Sequence, residues 1–431
     1  MRSRARLVAA LAVASSFLAL PVPAQFAQYT APGALAAGPE NARKALEKAV
    51  EEARWKLGPL RVEPVLGLSD LAYVDNARGA TGDGSGTDGD LTATVTAGLR
   101  GYLPVGSRST LALFALPDYV WWQDQTELRR FNQRFGAGLF TYFNRLGIEI
   151  KAQRLEDLDF VTTQLARRAA SRTDSLAADL EIPIGSRISL VGGGAVARSE
   201  HNLDGEPSDA LFEQLDRESR DWRAGLRWYL TSTLSLTGAW GHSETAFRGD
   251  AENRDNAGEV VSAGLAWNRP KLGVTLSTER SKLEPEPGST FAGFDGTTWS
   301  GAVRWSPRER FGLSLYGQKR LAYALGTTDS LYADERVGAS VSFGIGWRLR
   351  LELFGEQGTL DYGVEEGSLS SRQDDLTAYG GRLGVPLGRR FTFSAGARWT
   401  TVDSELPGAG YELTEILATL GLGLSASGTW F

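Results

Sequence analysis
The sequence predicts an all-β fold: a transmembrane, antiparallel, up-and-down β-barrel of about 18 strands, preceded by one short α-helix. Three observations carry that prediction. From Arg61 onward apolar residues recur at every second position, the connections between such segments alternate short and long, and aromatic side chains gather near segment ends. Composition narrows the field further. The 431 residues include 51 Gly, 12 Trp, 12 Tyr and 18 Phe, but no Cys and only two His. Disulfide scaffolds, thiolate metal sites and cysteine nucleophiles are therefore excluded, and two His leave little for a His-rich metal centre. The formal charge of −6 argues against a nucleic-acid partner. No metal and no cofactor is expected.

The chain opens on an export signal. Met1-Arg2-Ser3-Arg4-Ala5-Arg6 is basic, Leu7 to Leu20 is apolar, and Pro21-Val22-Pro23-Ala24 supplies small residues at the −3 and −1 positions. Residues 1–24 thus read as a signal peptide cleaved after Ala24, the apolar run being short for a membrane anchor. Losing its three Arg takes the formal charge from −6 to −9. The destination read from this start and from the barrel is a bacterial outer membrane.

Residues 25–60 form a periplasmic tail and helix. Gln25 to Gly38 is rich in Ala, Pro and Gly and is expected to be unstructured. Between Pro39 and Leu57, Ala42, Ala45, Leu46, Ala49, Val50 and Ala53 recur at three- and four-residue spacing among charges, which predicts a helix with one narrow apolar stripe. Gly58-Pro59 ends it. Because the stripe is mostly Ala, a solvated spacer is the preferred reading over a partial plug.

The barrel takes residues 61–431. Its clearest strand sets Val337, Ala339, Val341, Phe343, Ile345 and Trp347 against Gly338, Ser340, Ser342, Gly344 and Gly346. Leu91 to Leu99, Trp222 to Leu230 and Phe391 to Trp399 repeat the pattern, giving each segment one apolar and one small-or-polar face. Short links fall at 103–108, 144–147, 183–186, 231–232, 268–270, 306–309, 347–349 and 386–389. Long polar ones include 75–90, 157–172, 200–218, 246–257 and 284–296. Eight short turns separate nine strand pairs, hence 18 strands with both ends at the periplasmic rim; 16 is the alternative, since 157–174 and 321–332 are poorly patterned. A barrel of either size leaves an aqueous interior.

Which face meets lipid follows from the aromatics. Trp121, Trp222, Trp240, Trp299 and Trp399 lie on apolar parity near long loops, and Trp228, Trp267, Trp305, Trp347 and Phe391 on the same parity near short turns. Two such rows make the interfacial girdles of a bilayer-facing wall, whose neighbours are outer-membrane lipid and lipopolysaccharide. The terminal Phe431 looks like the recognition signal for the barrel-assembly machinery, although Leu420, Leu422 and Leu424 hold the other parity.

Inside, Arg100, Arg223, Arg227, Arg304, Arg320, Arg382 and Arg398 take the polar parity together with Lys151; the acids there are Glu149, Asp179, Glu181, Glu279 and Glu352. A ring of cations in a wet constriction favours anions. The competing reading, of equal weight, pairs these Arg with the acids and lets them only stiffen the wall.

Val62-Glu63-Pro64-Val65-Leu66-Gly67-Leu68, followed by Tyr73-Val74-Asp75-Asn76, resembles the opening of the β-barrel porin type 2 family. The resemblance implies an outer-membrane channel; some members are associated with exopolysaccharide or exosortase systems. Together with the pattern it leads to a porin-like channel for passive diffusion or export of small polar solutes, anionic ones or saccharides, and not an enzyme. The alternatives are a non-conducting structural or adhesive scaffold and, last, an outer-membrane hydrolase. The latter would need a Ser/His or Asp/His pair, yet neighbours His242 and Ser243 point to opposite faces and His201 sits in an acidic loop. The run Asp83 to Asp90 has calcium-type oxygens but not the spacing of a calcium loop, and reads as a solvated loop. Oligomeric state is not legible.

Overall fold
A strand that presents an apolar side and a polar side has to find partners for both of its edges, and a closed sheet is the arrangement that leaves no edge over. The computed structural model describes residues 28–34, 42–75, 89–143, 146–165, 167–205, 207–248, 254–326, 329–346, 348–387, 391–406 and 409–422. The predicted signal peptide, Trp347, Phe431 and all but the last residues of the Asp83–Asp90 run lie outside them.

Eighteen strands follow one another in chain order. They are β1 (Leu60–Val74), β2 (Asp90–Val105), β3 (Ser109–Ala115, continued by Asp118–Trp122) and β4 (Arg130–Asn132, continued by Arg134–Phe143). Next come β5 (Leu146–Phe160), β6 (Arg168–Pro183), β7 (Ile188–His201), β8 (Arg217–Tyr229) and β9 (Leu234–Phe247). Then follow β10 (Asn256–Arg269), β11 (Leu272–Pro285), β12 (Phe294–Arg308), β13 (Phe311–Tyr323) and β14 (Leu331–Ile345). The last four are β15 (Leu349–Asp361), β16 (Gln373–Leu387), β17 (Phe391–Ser404) and β18 (Tyr411–Leu422). Every neighbouring pair is antiparallel, and β18 returns to β1 from Leu66↔Leu422 to Val74↔Glu415, so the barrel closes. Eighteen is the expected count. Intervals between strands alternate between two to four residues at one rim and six to fifteen at the other. The eight short ones coincide with the eight predicted turns.

Parity behaves as the sequence implied. Leu99, Leu226, Val261, Leu276, Leu315, Val337 and Leu353 are all exposed on the outer wall, while Tyr102, Val191, Arg227 and Arg336 on the other parity are buried. An exposed apolar surface of that extent is foreign to a water-soluble monomer. Irregularities sit where the backbone demands them. Pro117 lacks an N–H and falls in the gap of β3, its carbonyl accepting from Ala97 N–H at 3.2 Å. A register shift in β1 between Leu68 and Leu71 is taken up at Asp70, whose φ of 50° is a left-handed conformation that Asp tolerates.

Two segments depart from expectation. The helix α1 (Ala42–Glu52) covers most of the Ala-rich stripe but stops before Gly58-Pro59, which instead turns a short strand, Trp55–Leu57, back onto Leu60–Val62. Nor is the helix free in solvent, for Leu46 is buried with Ala53 against Tyr102, Ala112 and Phe140 of the inner wall, near the short-turn rim. Arg43 lies 4.7 Å over the Tyr142 ring. A single Leu and the small Ala positions suffice because the inner wall offers three aromatic residues to receive them. The described part of the tail, residues 28–34, is also ordered against the interior rather than unstructured.

The second departure is the outer third of the β13–β14 hairpin. Pairing of β12 with β13 stops at Trp299↔Lys319, whereas β13 with β14 continues to Tyr323↔Leu331 and β14 with β15 to Ala333↔Asp361. Freed from β12, the tip folds into the barrel with both faces covered. Ala322, Ala324 and Tyr332 pack with Trp122, Leu360, Tyr362, Leu376, Val402 and Tyr411. Leu321, Tyr323, Leu325, Leu331 and Ala333 pack with Val161, Phe212, Leu215, Leu283, Phe291 and Phe294. That is why 321–332 lacks an alternating pattern: neither face is polar. Glu365, in the β15–β16 loop, tethers the tip by accepting Leu331 N–H at 2.6 Å, and burial pushes its carboxyl pKa upward.

Candidate functional site: the barrel interior
Two loops meet in the lumen of the barrel. The loop between β5 and β6 enters from one wall with Thr162, Thr163 and Gln164 buried. Gln164 donates its side-chain N–H to Leu325 O at 2.8 Å and accepts Leu325 N–H at 2.9 Å, reaching the hairpin tip from eight strands away. Thr162 and Tyr332 hydroxyls lie 2.8 Å apart, and Tyr411 donates to Thr163 O at 3.0 Å. Deeper in, Asp334 accepts from Arg320 at 2.8 Å and from Arg336 at 2.6 Å, and Arg336 donates further to Glu356 at 3.2 Å and to Thr163 at 2.8 Å. Asp334 and Arg336 are without measurable exposure at the side chain. Charges so desolvated persist only because each meets its opposite.

The predicted cations hold the polar parity, but they do not form a bare cationic ring. Arg100 faces Glu63 at 3.9 Å, Arg227 donates to Glu181 at 2.6 Å, Arg320 is bound by Asp334, Arg382 donates to Glu352 at 2.9 Å and Arg398 to Glu415 at 2.6 Å. Arg223 lies among Asp179, Glu279 and Asp221. Arg304 is half-buried on the same face. Lys151 sits 3.5 Å from Glu149 and 4.0 Å from Asp179. The ion-paired alternative therefore describes most of this wall.

On the outer face Trp222, Trp228, Trp240 and Trp305 are each nearly half exposed, Trp399 somewhat less, and Trp121, Trp267 and Trp299 are intermediate. Trp222 meets Trp240 edge-on at 4.9 Å, and His242 lies beside Trp222 on that same face at 6.4 Å. His201 is held by Asp216 at 3.1 Å. Ser243 is buried on the inner parity, so the His242–Ser243 step leads through the wall as expected. Among the described residues no group of His, Asp and Glu is arranged to hold a metal ion.

The residues that bridge the lumen (Thr163, Gln164, Asp334, Arg336, Glu356 and Tyr411) were not singled out by the sequence. Asp334 and Arg336 share the polar parity of Ser340 and Ser342, which is the signal that could have found them.

No family profile matches this chain, and no curated protein matches it in sequence. Solved structures do resemble it in fold. The BenF-like porin of Pseudomonas fluorescens superposes with a TM-score of 0.51 at 11 % identity, over 85 % of this chain and 99 % of that one. OccK2 of Pseudomonas aeruginosa, solved in complex with glucuronate, gives 0.51 at 12 % identity over 86 % and 100 %. OccAB3 of Acinetobacter baumannii gives 0.50 at 10 % identity over 85 % and 100 %. The architecture that the porin resemblance implied is thus that of solved porin barrels.

Proposed function
We propose that this chain is a porin-like channel of a bacterial outer membrane, through which small polar solutes, anionic ones and saccharides included, diffuse passively. The observation that carries the reading is the pairing of an apolar, Trp-bearing outer wall with a polar, ion-paired inner one around a closed barrel of eighteen strands. Lipid is the solvent that accepts the first, and water the second. On this reading the outward Trp are interface girdles, residues 1–24 direct export, and Phe431 serves assembly. The glucuronate bound by OccK2 supports an anionic sugar as one solute class. Because guanidinium and carboxylate alternate along the lumen, selectivity is weak.

Planar-bilayer recording tests this directly. Purified protein should insert as discrete ohmic steps, with a reversal potential in a tenfold salt gradient displaced only slightly toward anions. A strong cation preference would overturn the anionic leaning. Absence of any step under all conditions would instead favour the scaffold reading, for which the loops bridging the lumen are the supporting observation.

A further inference from the structure
The tail runs down the lumen beside β13, β14 and β15. Gln28 donates to Tyr323 O at 2.6 Å and accepts Tyr323 N–H at 3.2 Å, completing the backbone edge that β13 loses where it leaves β12. Thr30 accepts at its hydroxyl from Arg320 and at its carbonyl from Arg336 at 2.9 Å, while Gly33 N–H donates to Glu356 at 3.0 Å. The Tyr29 ring stands 5.6 Å from Phe160. Gly33 has φ of 80°, and a Cβ there would lie 3.0 Å from the Phe354 ring. Beside the tail opens a small cleft lined by Phe160, Thr163, Arg336, Thr400 and Tyr411 as well as by Tyr29, whose own ring occupies the space that the tail would vacate. Thr400, 5 % exposed, has a hydroxyl with no hydrogen-bond partner there.

We infer that this groove and cleft form a binding site for a neutral, hydroxyl-rich ring solute, a pyranoside, and that the tail is its built-in competitor. The inference rests on the channel reading and specifies its solute. Donors on Arg320 and Arg336, an acceptor on Glu356, the open hydroxyl of Thr400 and the rings of Phe160 and Tyr411 complement the hydroxyls and the apolar face of a sugar. Charge decides against an anion. Arg320 and Arg336 are balanced by Asp334 and Glu356, Arg398 and Arg168 by Glu415 and Asp159, and the segment Gln28 to Ala34 carries none. The tail therefore leaves no net charge behind when it withdraws: an incoming polyol can replace its hydrogen bonds one for one, and the apolar face of a sugar can take the place of the Tyr29 ring beside Phe160.

The test compares the full-length protein with a variant lacking residues 28–34 and with the double variant Gln28→Ala/Thr30→Val, which keeps the chain length in case the deletion fails to assemble. Either variant should conduct at least about twofold more than the parent. Maltotriose should block either at roughly tenfold lower concentration than it blocks the parent, and more strongly than glucuronate does. Adding Thr400→Val should weaken that block about tenfold. Equal conductance and equal maltotriose block in all proteins would overturn the inference while leaving the channel intact, as would a preference for glucuronate. Silence of parent and variants alike would overturn the channel reading itself.

Discussion
Asp334 shows what a single side chain does in this lumen. It accepts from two guanidiniums, Arg320 and Arg336, at a position without measurable exposure. Removing one partner of a buried pair leaves uncompensated charge, at a cost of about 3–5 kcal/mol. Asp334→Asn strands both arginines to different degrees and should lower the urea midpoint of the vesicle-embedded barrel accordingly. Arg382 makes the control: its pair with Glu352 is 2.9 Å long but its side chain is 63 % exposed. Water screens such a pair, so Arg382→Ala should change stability by roughly 0–1 kcal/mol. If the two substitutions shift the midpoint equally, the lumen is wetter around Asp334 than its burial indicates. Parity alone placed Arg320 and Arg382 in the same class, because period two fixes which wall a side chain joins and says nothing of what crosses the barrel to meet it.

Strands and loops differ in how far the sequence discloses them. All eight short turns and the strand count were legible, since a wall between two solvents must alternate along its whole length. The β13–β14 tip was not legible as structure, because folding inward replaces one polar solvent by packed side chains on both faces. The same holds for Val161 to Gln164, which read as part of a long polar loop and instead cross the lumen. Helix α1 was found by its period, but its destination was not: an Ala-rich stripe reveals that a helix has a face and not which surface receives it. Beside the Thr162–Tyr332 and Arg336–Thr163 contacts and the packing of Val161 on Leu325, the two loops are coupled through Gln164, whose two bonds to Leu325 contribute about 1 kcal/mol each. Gln164→Ala should therefore raise the population of separated loops by about thirtyfold, since 1.4 kcal/mol corresponds to a factor of ten. Single-channel traces would show longer and more frequent excursions to a higher conductance level. Unchanged current noise and conductance would mean that the apolar packing of Val161 and Leu325, rather than the amide, holds the loops together.

At the scale of the whole molecule the question is which solvent touches which surface. Trp228 is 49 % exposed on the outer wall, whereas Trp122 is 1 % exposed among the side chains packed inside. In water the first would need another protein surface to cover it, together with Leu226, Val261 and their neighbours around the full circumference. In a bilayer it needs nothing further, because lipid satisfies an apolar wall whose backbone groups are already paired. The two indoles therefore separate the alternatives. In a variant whose only Trp is Trp228, phospholipid brominated on its acyl chains should quench most of the emission, while a variant retaining only Trp122 should be nearly indifferent to bromine. Emission from Trp228 that ignores brominated lipid but falls with aqueous acrylamide would mean that its face of the sheet meets water, and the inside and outside assigned to every strand would have to be reconsidered.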